Sequence, residues 1–227
     1  MSFQTPALEY SLLAPVLIVL AGAVIGVLIE AFAPRGIRPI TQLSVTLGAL
    51  IISLFQAWQI RGETSKSVAL GAVMFDGAAV LFQISILILA ILGVLLIADQ
   101  DNFTAVGAAL PGSEEEQAGL AQGFKLTEVF PLTLFAVGGM LYFTMATDLI
   151  SLFVALEVFS LPLYLMSGLS RRRRLLSQEA ALKYFLLGSF ASAFFLFGAA
   201  FLYGYSGSIS FSGIQAAVVG GSGKIGR

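Results

Sequence analysis

Hydrophobic positions along this chain come in long uninterrupted blocks, and polar positions gather in the short stretches between them. A helix needs about 20 apolar residues to cross the hydrocarbon core of a bilayer. Six blocks satisfy that length: 11–33, 40–60, 78–98, 128–147, 149–169 and 178–204. Pro34 closes the first, Arg61 and Gly62 the second, Asp99 the third and an arginine run the fifth. The blocks lack the apolar–polar alternation of barrel strands and are too long for them. The pattern therefore predicts an all-α integral membrane protein: a polytopic bundle of six transmembrane helices forming one membrane domain over 1–227.

Two stretches break the pattern. Residues 100–125 include Pro111, Gly112 and Glu114 to Glu116, and read as a long solvated loop. Residues 205–227 read as a Gly- and Ser-rich tail, with a short extended piece at 208–211. The stop at Arg227 is unlike the natural end of a membrane bundle, so the sequence reads as the front part of a longer protein.

Composition narrows the chemistry. Hydrophobic residues make up 58% of the 227 positions and charged residues 11%, against roughly 25% charged in soluble domains. Twelve Lys and Arg nearly balance thirteen Asp and Glu, which leaves no excess charge to attract nucleic acid. The absence of Cys excludes disulfides, thiolate metal sites and iron–sulfur clusters within the chain. The absence of His excludes Ser–His–Asp triads and His-ligated metals. Carboxylates, Lys, Arg, hydroxyls and water remain, a set suited to moving protons.

Loop charges orient the bundle. One side carries Arg35, Arg38, Lys125 and Arg171 to Arg174; the other carries Arg61, Lys66, Lys224 and Arg227. The richer side is expected in the cytoplasm, which puts the N-terminus and the 205–227 tail outside the cell and the 100–125 loop inside. The start of the chain lacks the basic residues of a signal peptide, so the first helix is expected to be retained. The four arginines also suit contact with lipid phosphates.

Three charges fall inside the blocks beyond their first two residues, where a charge at the bilayer centre costs about 2.5–3.5 kcal/mol on insertion scales. Glu30 lies near the end of its helix and can reach the interface or pair with Arg35 or Arg38. Glu157 lies roughly 12 Å and 18 Å from the two ends of the fifth helix, too deep for a carboxylate to reach water by itself. Pro162, five residues on, removes a backbone donor and clashes with the Val158 carbonyl, which implies a kink beside the carboxylate. Glu157 reads either as a proton-handling group or as a packing carboxylate bonded to a hydroxyl such as Ser160 or one on a neighbouring helix. Lys183 lies roughly 8 Å into the sixth helix and can also snorkel to the surface. The two differ in depth by about 10 Å, suited to two or three bridging waters. A desolvated lysine beside a carboxylate would form a protonatable pair with two states.

The remaining features have packing or interface readings. Gly22 with Gly26, and Gly188 with Ser192, suit close approach of helices. Asp148 is placed to cap the fifth helix. Gln56, Gln83 and Ser85 are candidates to line a water path. Tyr10 and Trp58 sit where interface aromatics sit.

Five strings together resemble one family: 127–132 (TEVFPL), 146–153 (ATDLISLF), 156–164 (LEVFSLPLY), 179–188 (EAALKYFLLG) and 203–207 (YGYSG). They look like the subunit N family, antiporter-like membrane subunits of bacterial NADH-quinone oxidoreductase (respiratory complex I). The resemblance runs from about 75 to 212 and is strongest over 127–207; the first two helices match in character only. It implies a fold of roughly fourteen helices with an outward N-terminus and two inverted five-helix repeats, each containing a broken helix. The first repeat begins near the fourth helix. Glu157 stands at the family's key glutamate and Lys183 at its lysine on the sixth helix, the two implied proton-translocating residues. The family's later central lysines and its broken helices fall beyond Arg227.

The implied role is proton translocation in the bacterial inner membrane, driven by quinone reduction in partner membrane subunits. This chain would hold no cofactor; flavin, iron–sulfur clusters and quinone would belong to partners, and the other contact is the lipid bilayer. Rival readings are a subunit of a multi-chain sodium/proton antiporter, a structural membrane subunit without an ion path, and a stand-alone secondary transporter.

Overall fold

In the computed structural model, residues 9–68, 71–98, 113–114, 126–169 and 174–222 are described. The 100–125 loop lies outside the described residues except Ser113 and Glu114, as do Arg171 to Arg173 and the last five residues. Among the described residues, seven α-helices follow in chain order: α1 Tyr10–Phe32, α2 Arg38–Gln59, α3 Gly77–Ala98, α4 Val129–Phe143, α5 Leu149–Gly168, α6 Arg174–Ser206 and α7 Phe211–Ser222. A single 3₁₀ turn, Ile60–Gly62, extends α2. Five of these segments are long and apolar enough to span a bilayer: α1, α2 with its extension, α3, α5 and α6. The protein is an all-α, multi-pass membrane protein.

The fourth apolar block folds differently from expectation. Helix covers only 15 of its residues, Val129–Phe143, about 22 Å at 1.5 Å per residue. The chain from Met145 onward leaves the helix because its backbone groups bond to other segments. The 205–227 stretch also differs, since α7 occupies most of it. Ser210 starts that helix: its hydroxyl accepts from the Gly213 N–H at 3.1 Å, and its carbonyl accepts from the Ile214 N–H at 3.0 Å. The apolar run Ala216 to Val219 continues it.

The helices pack in the order α3–α2–α1–α4–α5–α6. The core lies among the first four, around Leu12, Val16, Val19, Ala23, Leu50, Leu87, Phe130, Leu134 and Leu141. In lipid, helices associate through close packing more than through apolar burial, and small residues provide it here. A Cβ at Gly22 would stand 2.6 Å from Ala49 Cβ, and one at Gly26 would stand 3.0 Å from Pro131 Cβ. The Gly22–Gly26 pair therefore serves contacts of α1 with α2 and α4. At Gly139 a Cβ would press on the backbone of Phe159, which sets the approach of α4 to α5.

Short strands, absent from the sequence expectation, lace one rim of the bundle. Strands β1 (Lys66–Val68) and β2 (Val73–Phe75) form an antiparallel hairpin between α2 and α3. Gly71 in its turn takes φ +92°, a conformation that side chains disfavour. The hairpin then pairs with the α4–α5 connection: Met74 N–H donates to Met145 O at 2.8 Å, and Thr147 N–H to Ala72 O at 3.2 Å. That connection pairs in turn with the α6–α7 connection: Leu149 N–H donates to Ile209 O at 3.1 Å, and Phe211 N–H to Thr147 O at 3.0 Å. Lys66 adds an ion pair with Glu9 at 3.4 Å, beside the start of α1.

Candidate functional site

Helix α5 presents Glu157. Its start is fixed by Asp148, whose Oδ1 accepts from Ile150 N–H at 2.9 Å and Ser151 N–H at 2.8 Å, while Oδ2 accepts from the Ser151 hydroxyl at 2.8 Å. The sequence reading of Asp148 as a cap is the arrangement seen. The helix continues through Pro162 to Gly168.

Helix α6 runs antiparallel beside α5. Ser177 donates to Ser167 O at 2.8 Å, the Tyr164 and Tyr184 rings meet edge to face at 4.6 Å, and Phe153 stacks on Phe195 at 6.0 Å. A Cβ at Gly188 would overlap the Tyr164 hydroxyl, so this glycine admits the ring. In this register Ser192 lies level with Glu157, and its hydroxyl donates to Glu157 Oε1. Ser192 is buried. The Ser160 hydroxyl instead donates to the backbone carbonyl of Glu157 at 3.4 Å. Among the described residues, no cation pairs with the Glu157 carboxylate.

Lys183 is placed elsewhere. It pairs with Glu179 one turn earlier on the same helix, and both side chains are largely exposed, at 68% and 56%. Nine residues of α6 separate Lys183 from the level of Ser192, about 14 Å along the axis. The expected separation was about 10 Å with bridging waters; the register of α6 on α5 makes it longer, and Glu179 on the same helix gives the lysine its carboxylate. The structure does not bring Glu157 and Lys183 together.

Glu30 sits in a polar knot where α1, α2 and the start of α4 meet. Arg38 Nη1 lies 3.0 Å from Glu30 Oε1. Gln42 Nε2 and the Thr127 hydroxyl donate to Oε2 at 3.0 and 2.8 Å. Arg38 is one of the partners expected for Glu30. Among the described residues, no cluster of three or more Asp, Glu, His or Cys could hold a metal.

The geometry has counterparts in known proteins. Residues 146–226 match the family model described as NADH:quinone oxidoreductase/Mrp antiporter, TM. NADH-quinone oxidoreductase subunit N of Acidothermus cellulolyticus is 51% identical over 96% of this chain and 43% of its own length. The chain is similar to members of this antiporter-like membrane family over nearly its whole length. Subunit N of Mycobacterium bovis is 45% identical, with 96% of this chain and 45% of its own covered. Respiratory complex I from Thermus thermophilus with bound Aureothin contains a chain matching at TM-score 0.64 and 31% identity, over 86% of this chain and 38% of that one. An archaeal membrane-bound sulfane sulfur reductase shares the fold at TM-score 0.65 and 20% identity, over 91% of this chain and 30% of that one. The chain thus spans less than half the length of these relatives.

The antiporter-like family region includes the whole of α5 and α6, and with them Glu157, Ser192, Glu179 and Lys183. Sequence reasoning placed Ser192 among small packing residues and passed over Glu179. The signal for Glu179 was present, since an acid four residues before a lysine forms a helical ion pair. Ser192 gave no such signal, because the α5–α6 register decides which hydroxyl meets Glu157.

Proposed function

We propose that this chain is part of a proton-translocating membrane subunit of an NADH-quinone oxidoreductase. In this reading it has no electron-transfer site of its own and works beside other membrane subunits that carry the redox chemistry. The observation carrying the reading is Glu157, set in the middle of an apolar helix and met by the Ser192 hydroxyl rather than by a cation. Water or a proton must compensate a carboxylate at that depth, because an unpaired buried charge is costly. Passage between those two conditions is an elementary step of proton carriage. Ser192 holds the carboxylate and leaves it free to exchange a proton with groups of the longer protein. Quinone reduction in partners would drive the exchange through a conformational or electrostatic change.

The proposed setting is the bacterial inner membrane. The positive-inside rule puts the rim laced by β1 and β2 outside the cytoplasm, together with the N-terminus, and the Glu30 knot on the cytoplasmic side. Relatives named as complex I subunits favour this setting over a sodium/proton antiporter assembly. Copurification of flavin and iron–sulfur subunits with the full-length protein distinguishes the two.

Glu157→Gln in the full-length subunit, assayed in inverted membrane vesicles, is expected to lower NADH-driven proton pumping several-fold while the complex assembles. Normal pumping overturns the role, and failure to assemble favours a structural carboxylate. Lys183→Met is expected to lower pumping less than Glu157→Gln does; unchanged pumping removes Lys183 from the route and leaves it a charge pair with Glu179.

A further inference from the structure

The seam between α1 and α2 carries a polar column outside the α5–α6 site. Arg38, Gln42 and Thr46 stand at successive four-residue steps on one face of α2. Arg38 pairs with Glu30, and Gln42 Nε2 donates to both Glu30 Oε2 at 3.0 Å and Gly26 O at 2.8 Å. Those two acceptors fix the amide: its nitrogen faces them, so its oxygen is turned away. Gln42 Oε1 is buried with no protein partner, and so is Thr46 Oγ1. Both residues are 0% exposed.

Thr46 departs from other helical hydroxyls of this protein. Thr41, Ser85 and Thr133 each donate to the carbonyl four residues earlier, at 3.0, 2.9 and 2.7 Å. Such back-bonding is the usual way a helical hydroxyl is satisfied in an apolar setting. The Thr46 hydroxyl has no such bond, and Thr46 lies one helical turn beyond Gln42. Side chains four residues apart on a helix are neighbours, with Cβ atoms about 5–6 Å apart. Gly26 leaves the amide oxygen its space, since a Cβ there would stand 3.1 Å from Gln42 Oε1.

We propose that one ordered water bridges Gln42 Oε1 and Thr46 Oγ1 and completes the column that begins at Arg38 and Glu30. The water donates one proton to the amide oxygen and exchanges a hydrogen bond with the hydroxyl. Buried waters hold such otherwise unsatisfied groups, typically through about three hydrogen bonds. Without it each group would be desolvated with no hydrogen bond in return.

The test is a density map of the full-length subunit in its membrane complex, at a resolution that shows ordered water. Wild type is expected to show a peak about 2.7–3.2 Å from both atoms. Thr46→Ser should keep the peak and Thr46→Val should lose it. A wild-type seam without the peak, with the Thr46 hydroxyl donating to the Gln42 carbonyl, overturns the proposal. A peak unchanged in Thr46→Val does so too. If Thr46→Val fails to assemble, the wild-type and Thr46→Ser maps decide the matter.

Discussion

At the scale of single residues, Ser192 makes the proposed site specific. It is the group of α6 that meets the Glu157 carboxylate, and it does so as a donor. A hydrogen bond to a charged group contributes about 1.5–3 kcal/mol. Ser192→Ala is therefore expected to slow proton pumping by about tenfold at the lower figure, and Ser192→Thr to restore much of it. Rates in inverted vesicles check this, with complex yield as the control. The sequence showed Glu157 as anomalous because charge at mid-helix is rare and costly. It did not show the partner, since Ser192 looks like any small residue at a helix crossing. Glu30 was similar: Arg38 was legible from its position just past the helix end, whereas Thr127, ninety-seven residues away, depends on how α4 docks.

At the scale of elements, block length and closing residues made the helices legible. The 15-residue α4 was not, because its end is set by the partners its backbone finds. The β1–β2 hairpin was hidden for the same reason: three-residue strands carry little periodic signal, and their pairing with Met145 and Thr147 is long-range. Met74 N–H donates to Met145 O, so Met74→Pro removes that donor. A loss of about 1–3 kcal/mol is expected, read as a lower unfolding temperature of the purified subunit. An unchanged temperature would mean that the hairpin contributes little to the bundle.

At the scale of the whole molecule, α1 to α4 enclose a core, while α6 leaves many of its large apolar side chains exposed. Leu187, Phe190, Phe194, Phe197 and Phe201 are all more than half exposed. Lipid or further protein must cover such a face, and either is intolerant of charge. Leu187→Glu is expected to cost about 2.5–3.5 kcal/mol, seen as reduced membrane insertion or complex yield beside a Leu187→Ala control. Near-normal yield would place Leu187 against water.

The laced rim has a mechanical consequence. Three helical hairpins are sewn together through main-chain bonds at that edge, and this stitching does not depend on which side chains occupy it. Tilting of α5 and α6 against α1 and α2 then has its fulcrum there, and the greatest travel falls at the opposite edge. Glu157, partway along its helix, would move by an intermediate amount, as a point on a lever does.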